Sequence, residues 1–312
     1  MTAMGKIYIT GSSGVLGYEL GCHFATQPDC RVRAVARSPL PLVPKTGFAF
    51  AQHVSLFDAE WLLPGDRDAT VIHCAGLSNP RADFNSFSTL SRDHILPHVE
   101  MLETMLAHGW RGRLIYPSSG GTIYGDVSEL PIRETHPTNP KSYYGLQKQC
   151  LENILTHMSD RFGFELVILR ISNPFGSLVP KTVQGVIPIL LQAFLEGTRF
   201  RVFGDGSAER DYIHMDDVCA AVAASVRTPL PERRLVLNIG SGEGVAINDL
   251  IGMLGGLLDR SLDCEHVSVE HDVRSNVLCT DLARARLDWQ PQIPFAEGLK
   301  RLVDQVRANT HH

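Results

Sequence analysis

In the run Tyr144-Gly-Leu-Gln-Lys148 a phenol and an ammonium are spaced i, i+4, which puts both on one face of a helix. A phenol with its ordinary pKa near 10 is a poor general base at neutral pH. A neighbouring cation stabilises the phenolate and lowers that value, so the pair suits removal of a proton from a hydroxyl. The same spacing arises by chance in other chains. It gains weight here from its position, after a strand-like run at residues 114–116 and a serine-rich loop.

A second pattern, Gly11-Ser-Ser-Gly14-Val-Leu-Gly17, lies between a strand-like run (residues 6–10) and a helical one (residues 16–26). Glycines there let the chain turn tightly and let a pyrophosphate approach the helix N-terminus, where free N–H groups and the dipole favour anions. The spacing is G-x-x-G-x-x-G rather than G-x-G-x-x-G. A plain structural turn is the alternative, but the strand–helix context points to a dinucleotide. An acidic residue closing the second strand would bind the adenosine ribose. That strand instead ends Val35-Ala36-Arg37-Ser38, with no carboxylate. Arg37 can pair with a 2′-phosphate, which points to NADP; stacking on adenine or a solvated loop position are the other readings.

These groups need a scaffold. Strand-like runs at residues 31–36, 69–74, 113–116 and 165–171 alternate with helical segments at 94–108 and 144–162. Such alternation predicts an α/β fold with a Rossmann-type doubly wound parallel sheet. The division expected is a dinucleotide-binding domain at residues 1–173, with 213–240 returning to it. A smaller substrate-binding domain is expected from 174–212 and 241–312, where prolines and glycines loosen the pattern.

The 312 residues, 44% hydrophobic and 20% charged, have the composition of a globular enzyme. A net charge of −5 argues against a nucleic-acid partner. No apolar run reaches the ~20 residues of a membrane span. The seven cysteines are scattered and form no C-x-x-C pair, so neither a disulfide framework nor a zinc knuckle is expected. A reducing cytosol is the expected location. The thirteen histidines show no H-E-x-x-H or clustered ligand spacing, so no metal is expected. Trp61, Trp110 and Trp289 are read as packing residues.

Taken in order, the motifs carry a resemblance. They are Gly11 to Gly17, His73-Cys-Ala-Gly-Leu77, Pro117-Ser-Ser-Gly-Gly-Thr-Ile-Tyr-Gly125, Tyr144 to Lys148 and Leu169-Arg-Ile-Ser-Asn-Pro-Phe-Gly176, then Phe203-Gly-Asp-Gly206, Arg210-Asp-Tyr-Ile-His-Met-Asp-Asp217 and Asn238-Ile-Gly-Ser-Gly242. Over nearly its whole length the chain resembles the extended short-chain dehydrogenases, in particular the NAD-dependent epimerase/dehydratase group.

The resemblance implies a cytoplasmic enzyme in which Tyr144 takes a proton from a sugar hydroxyl while hydride moves to a nicotinamide. It implies NAD as cofactor, with NADP left open by Arg37. The implied cofactor contacts are Gly11, Ser13, Gly14, Val15, Leu16, Gly17, Arg37, Ser55, Leu56, Cys74, Ala75, Gly76, Tyr144, Lys148 and Ile171. A Ser or Thr hydroxyl normally helps to hold the reacting oxygen, and alignment on Tyr124-Gly125 puts that position at Gly120, which has no side chain. Ser119 or Thr122 would supply the hydroxyl, with Ser119 favoured; the bland reading is that both satisfy loop backbone groups. The implied substrate contacts are Ser78, Ser119, Asn173, Arg210 and Arg274, the arginines clamping a diphosphate. For Arg274 a surface salt bridge is the equal alternative. His214 and Asp217 are expected to organise a loop.

The same resemblance sorts the chemistry. Family 4,6-dehydratases carry an Asp-Glu pair where this chain has Gly121 and Thr122. Decarboxylases use a loop Glu that is absent, and Thr122 stands where other epimerases place a Cys. What remains is 4-epimerisation of a UDP-hexose through a transient ketone. The alternatives are NADPH-dependent reduction of a 4-keto-sugar nucleotide, or a non-catalytic dinucleotide-binding regulator. The helix near His94 and the Tyr144 helix are expected to form a homodimer's four-helix bundle.

Overall fold

The computed structural model describes residues 5–40, 49–52, 55, 57–76, 86–179, 185–268 and 275–310. The chain begins with β1 (Gly5–Thr10), α1 (Val15–Ala25), β2 (Cys30–Ala36), β3 (Ala49–Gln52) and β4 (Thr70–His73). There follow α2 (Phe87–His94), α3 (Leu96–Ala107), β5 (Arg113–Ser119), the short α4 (Gly120–Ile123), α5 (Tyr143–Phe162) and β6 (Glu165–Ile171). The remainder holds β7 (Asn173–Phe175), α6 (Val186–Glu196), β8 (Phe200–Phe203), β9 (Glu209–His214) and α7 (Met215–Arg227). It closes with β10 (Arg234–Ile239), β11 (Gly244–Ala246), α8 (Ile247–Leu258), β12 (Cys264–Val267), α9 (Asp281–Leu287) and α10 (Phe295–Thr310).

Seven strands form one parallel sheet in the order β10-β6-β5-β4-β1-β2-β3. Side chains alternate between its two faces, as a two-residue period requires. Ile7, Ile9, Ile72, Ile115, Val167 and Leu169 face α1, α7 and α9. Tyr8, Val71, Leu114, Tyr116, Leu166 and Ile168 face α3 and α5. Both faces are covered, which is why these strands read as nearly continuous apolar runs.

The chain runs from β1 outward through β2 to β3, then returns to β4 on the other side of β1. Loops leaving β1 and β4 therefore diverge, opening a crevice at the carboxyl ends of the strands. A second sheet, β11-β9-β7, and the pair β12-β8 stand beside it. Their apolar side chains meet α6, α8 and α10 in a separate core built on Phe175, Leu190, Tyr212, Leu250 and Leu299.

The helix expected over 94–108 is α3 (Leu96–Ala107), and a separate helix, α2, precedes it. Ile95 caps both, with φ −117° and ψ −56°, and Pro97 sits in the first turn of α3. Proline has no N–H to donate, so it is accommodated where a helix begins and not in its interior.

Candidate active site

The glycine loop is built by close approach. Gly11 has φ +75°, and a Cβ there would lie 2.6 Å from the Ala75 nitrogen, so the loops after β1 and β4 touch at this point. A Cβ on Gly17 would stand 2.4 Å from the Gly11 carbonyl oxygen. Gly14 caps α1 without a side-chain hydrogen bond, and no acidic residue occupies the first turn. Ser12 is wholly buried: its hydroxyl donates to the Ile9 carbonyl and accepts from the Val35 amide at 3.1 Å. That bond ties the loop to β2, while Ser13 remains half-buried beside it.

Gly14, Val15 and Leu16 open onto a cavity of about 710 Å³, and Cys74, Ala75 and Gly76 form its wall. Ser119, Tyr144, Lys148 and Ile171 line it as well. A helix start with a glycine cap and an ammonium, both on one cavity, fit an anionic dinucleotide. Arg37 is exposed at the end of β2, outside this lining, and its carbonyl accepts from Gln52 at 3.1 Å. Ser55 is also outside the lining, its hydroxyl accepting from the Phe57 amide. Leu56, Ser78 and Arg274 lie outside the described residues.

Ser142 caps α5, accepting from the Gly145 amide, and so sets the helix on which Tyr144 and Lys148 project. Lys148 donates to the Pro117 carbonyl at 2.9 Å, and its ammonium lies 4.7 Å from the Tyr116 ring centre and 5.7 Å from that of Tyr144. Ser119 and Tyr144 both line the large cavity, and Ser119 acts on the phenol as a polar neighbour that favours its charged form. Gly120 points the other way: a Cβ there would meet Leu278 Cδ1 at 2.5 Å and the Arg170 carbonyl oxygen at 2.9 Å. The Thr122 hydroxyl is buried and has no hydrogen-bond partner among the described residues.

The electrostatics differ from the expectation of a phenol acidified by its lysine. Burial pushes Tyr144 up to about 12, opposed by Ser119. Burial likewise pulls Lys148 down to about 8, opposed by the nearby Cys74 and Glu152. In a closed cleft desolvation disfavours the charged form of both groups, and it is the largest cause of both shifts.

Asn173 and Arg210 come together in a neighbouring cavity of about 240 Å³ that also includes Phe203 and Tyr212. The Asn173 amide donates to the Asp211 carbonyl at 2.8 Å. Gly121 faces Asn173, its Cβ position 3.6 Å from Asn173 Oδ1.

Sequence reading missed Asp211. Its carboxylate is fully buried and accepts from Ser172, from the amide and hydroxyl of Ser241, and from the amides of Gly242 and Leu278. It thereby fixes β7, β9 and the strand-like stretch near Leu278 around Asn173. Nothing local singled it out, because β9 reads Glu-Arg-Asp-Tyr-Ile-His and an aspartate there is one polar residue among several. Asp217 accepts from the amides of Gln292 and Ile293, and His214 accepts from the Asp216 amide.

A profile for the NAD dependent epimerase/dehydratase family matches residues 7–240. The chain belongs to this family. A family relative, UDP-glucose 4-epimerase of Mycolicibacterium smegmatis, is 31% identical over 219 residues, covering 69% of this chain and 68% of that one. A dTDP-4-dehydro-6-deoxyglucose reductase of Escherichia coli is 29% identical over 243 residues, 76% and 75% of the two chains. Among solved structures, UDP-glucose 4-epimerase of Thermotoga maritima with UDP-glucose superposes with a TM-score of 0.85 at 27% identity, covering 98% and 99%. The family comprises enzymes, and the doubly wound sheet expected from the sequence is its fold.

Proposed function

We propose that this enzyme interconverts the C4 epimers of a UDP-hexose, using NAD and a transient 4-keto sugar. The observation that carries the reading is the convergence of Ser119, Tyr144 and Lys148 on the cavity that the glycine cradle opens onto, with the Asn173–Arg210 cavity beside it. Reversible hydride acceptance at the nicotinamide is the chemistry that bound NAD supplies. Tyr144 removes the proton of the C4 hydroxyl and returns it once the sugar has turned over. Ser119 holds the reacting oxygen against Tyr144, and Lys148 supplies positive charge to the developing phenolate and to the ribose. Asn173 and Arg210 bind the diphosphate side of the substrate, a role suited to a planar, multiply donating guanidinium. With Gly121 and Thr122 after Ser119, the loop offers no carboxylate pair for dehydration.

A second reading is favoured by Arg37, which closes β2 with no carboxylate and stands exposed where a 2′-phosphate would lie. It is NADPH-dependent reduction of a 4-keto sugar nucleotide. Denaturing the purified protein and identifying the released nucleotide separates the two. Near-stoichiometric NAD, with conversion of UDP-galactose to UDP-glucose, supports the epimerase. No released nucleotide, with tight binding of NADPH over NADH, overturns it in favour of the reductase.

We also infer a homodimer and a cytoplasmic location. Phe87 and Leu96 are exposed on α2 and α3, beside α5, and support pairing of these helices with a second copy. The cysteines are free, which agrees with a reducing compartment.

A further inference from the structure

Behind the Tyr144–Lys148 pair runs a line of buried polar side chains that the proposed reaction does not use. Thr10 Oγ1, at the end of β1, is 2.7 Å from His73 Nδ1 at the end of β4. His73 Nε2 is 2.7 Å from His98 Nδ1 on α3. The three are 0%, 2% and 3% exposed. Phe57 packs its ring edge-on to His98 at 5.0 Å and fixes the imidazole plane. The last atom of the line, His98 Nε2, is buried with no hydrogen-bond partner among the described residues. His98 nevertheless lines the large cavity, together with His73, Gln147 and Lys148.

An orphaned buried nitrogen costs on the order of 1–3 kcal/mol, so its retention at a cavity wall points to a ligand. Both imidazoles are neutral. Burial and the Lys148 ammonium hold His73 down to about 3 and His98 well below its ordinary value. A neutral imidazole has one N–H and one lone pair. Facing a cation, His98 Nε2 presents its lone pair. Nδ1 then carries the proton and donates to His73 Nε2, and His73 Nδ1–H donates to Thr10. The two ring dipoles then align with their negative ends towards Lys148.

We infer that His98 is a positioning residue for Lys148: its Nε2 and the Lys148 ammonium grip one hydroxyl between them, a ribose hydroxyl of the dinucleotide or a water. This rests on the dinucleotide reading above. The grip orients the ammonium and offsets part of the desolvation that pulls its pKa down. The other ionisable groups around Lys148 are His73 at the end of β4 and Cys74 just after it, Tyr116 from β5, and Tyr144 and Glu152 from α5; His94 of α2 also faces His98.

The test uses the full chain with ¹⁵N-labelled histidine, and the variants His98→Gln, His98→Asn and His98→Leu. Glutamine reaches the Nε2 position, whereas asparagine reaches only as far as Nδ1. A signal of an unprotonated His98 Nε2 moved upfield by an accepted hydrogen bond, seen in the free protein, identifies water as the partner. The same signal appearing only on adding NAD or NADP identifies the ribose. In either case His98→Leu and His98→Asn should shift the alkaline limb of kcat downward by about one pH unit, and His98→Gln should restore it. A protonated Nε2 with an unmoved pH profile in His98→Leu overturns the inference. Failure to bind either dinucleotide would instead overturn the cofactor reading, and is scored separately by equilibrium dialysis.

Discussion

Ser119 and Gly120 are chain neighbours, yet they face opposite ways at the junction of β5 and α4. The Ser119 hydroxyl meets Tyr144, while the Cβ direction of Gly120 is filled by Leu278 at 2.5 Å. Replacing Ser119 by Ala should lower kcat about 100-fold with the fold intact. Gly120→Ser should not rescue it, and should instead lower stability by about 1–3 kcal/mol through overpacking. Steady-state kinetics and chemical denaturation of the single and double variants check this. An active Ser119→Ala/Gly120→Ser double variant would show that the hydroxyl can come from position 120.

Tyr144→Phe removes the acid–base group without removing the ring. Turnover should fall by about 10²–10⁴ while dinucleotide binding is kept. Full turnover in this variant with a good substrate would remove Tyr144 from the chemistry.

Gly17→Ala places a methyl 2.4 Å from the Gly11 carbonyl oxygen, against backbone that cannot swing aside. Loss of dinucleotide retention is expected, together with about 1–3 kcal/mol of stability. The nucleotide content of the purified variant, beside its denaturant midpoint, reads both.

Dinucleotide affinity should depend on the charge of Lys148, whose pKa is near 8. The ammonium is present below that value and is lost as pH rises through it. Affinity should therefore weaken from about pH 8 upward, and it should become flat across this range in Lys148→Met. Titrations from pH 6.5 to 9.5 test the sign.

Stability should respond in the acid range through His73, which stays neutral in the folded protein down to about 3. The unfolded chain takes up a proton as pH falls below about 6.5, while the folded chain does not, so stability is full above that pH and declines below it. Each such histidine contributes at most about 1.4 kcal/mol per pH unit. His98 shifts in the same direction, so His98→Gln should flatten the fall in Tm between pH 6.5 and 4.5. An unchanged slope would mean that other groups drive the acid loss.

Much of this site could be read from the chain itself, because local backbone geometry controls it. The i, i+4 relation of Tyr144 and Lys148 follows from helical period, and the need for glycine at positions 11 and 17 follows from a turn between strand and helix. Alternating apolar runs gave away a parallel sheet covered on both faces. Tertiary structure decided what depends on residues far apart in sequence. Leu278 sets the direction left to Gly120, and burial raises the Tyr144 pKa. Asp211 is a hub only because Ser172, Ser241, Gly242 and Leu278 converge on it. Thr10, His73 and His98 form a line only because β1, β4 and α3 pack together. Period and turn chemistry are properties of neighbouring residues, whereas desolvation and side-chain direction are properties of the packed interior, which no short stretch of sequence contains.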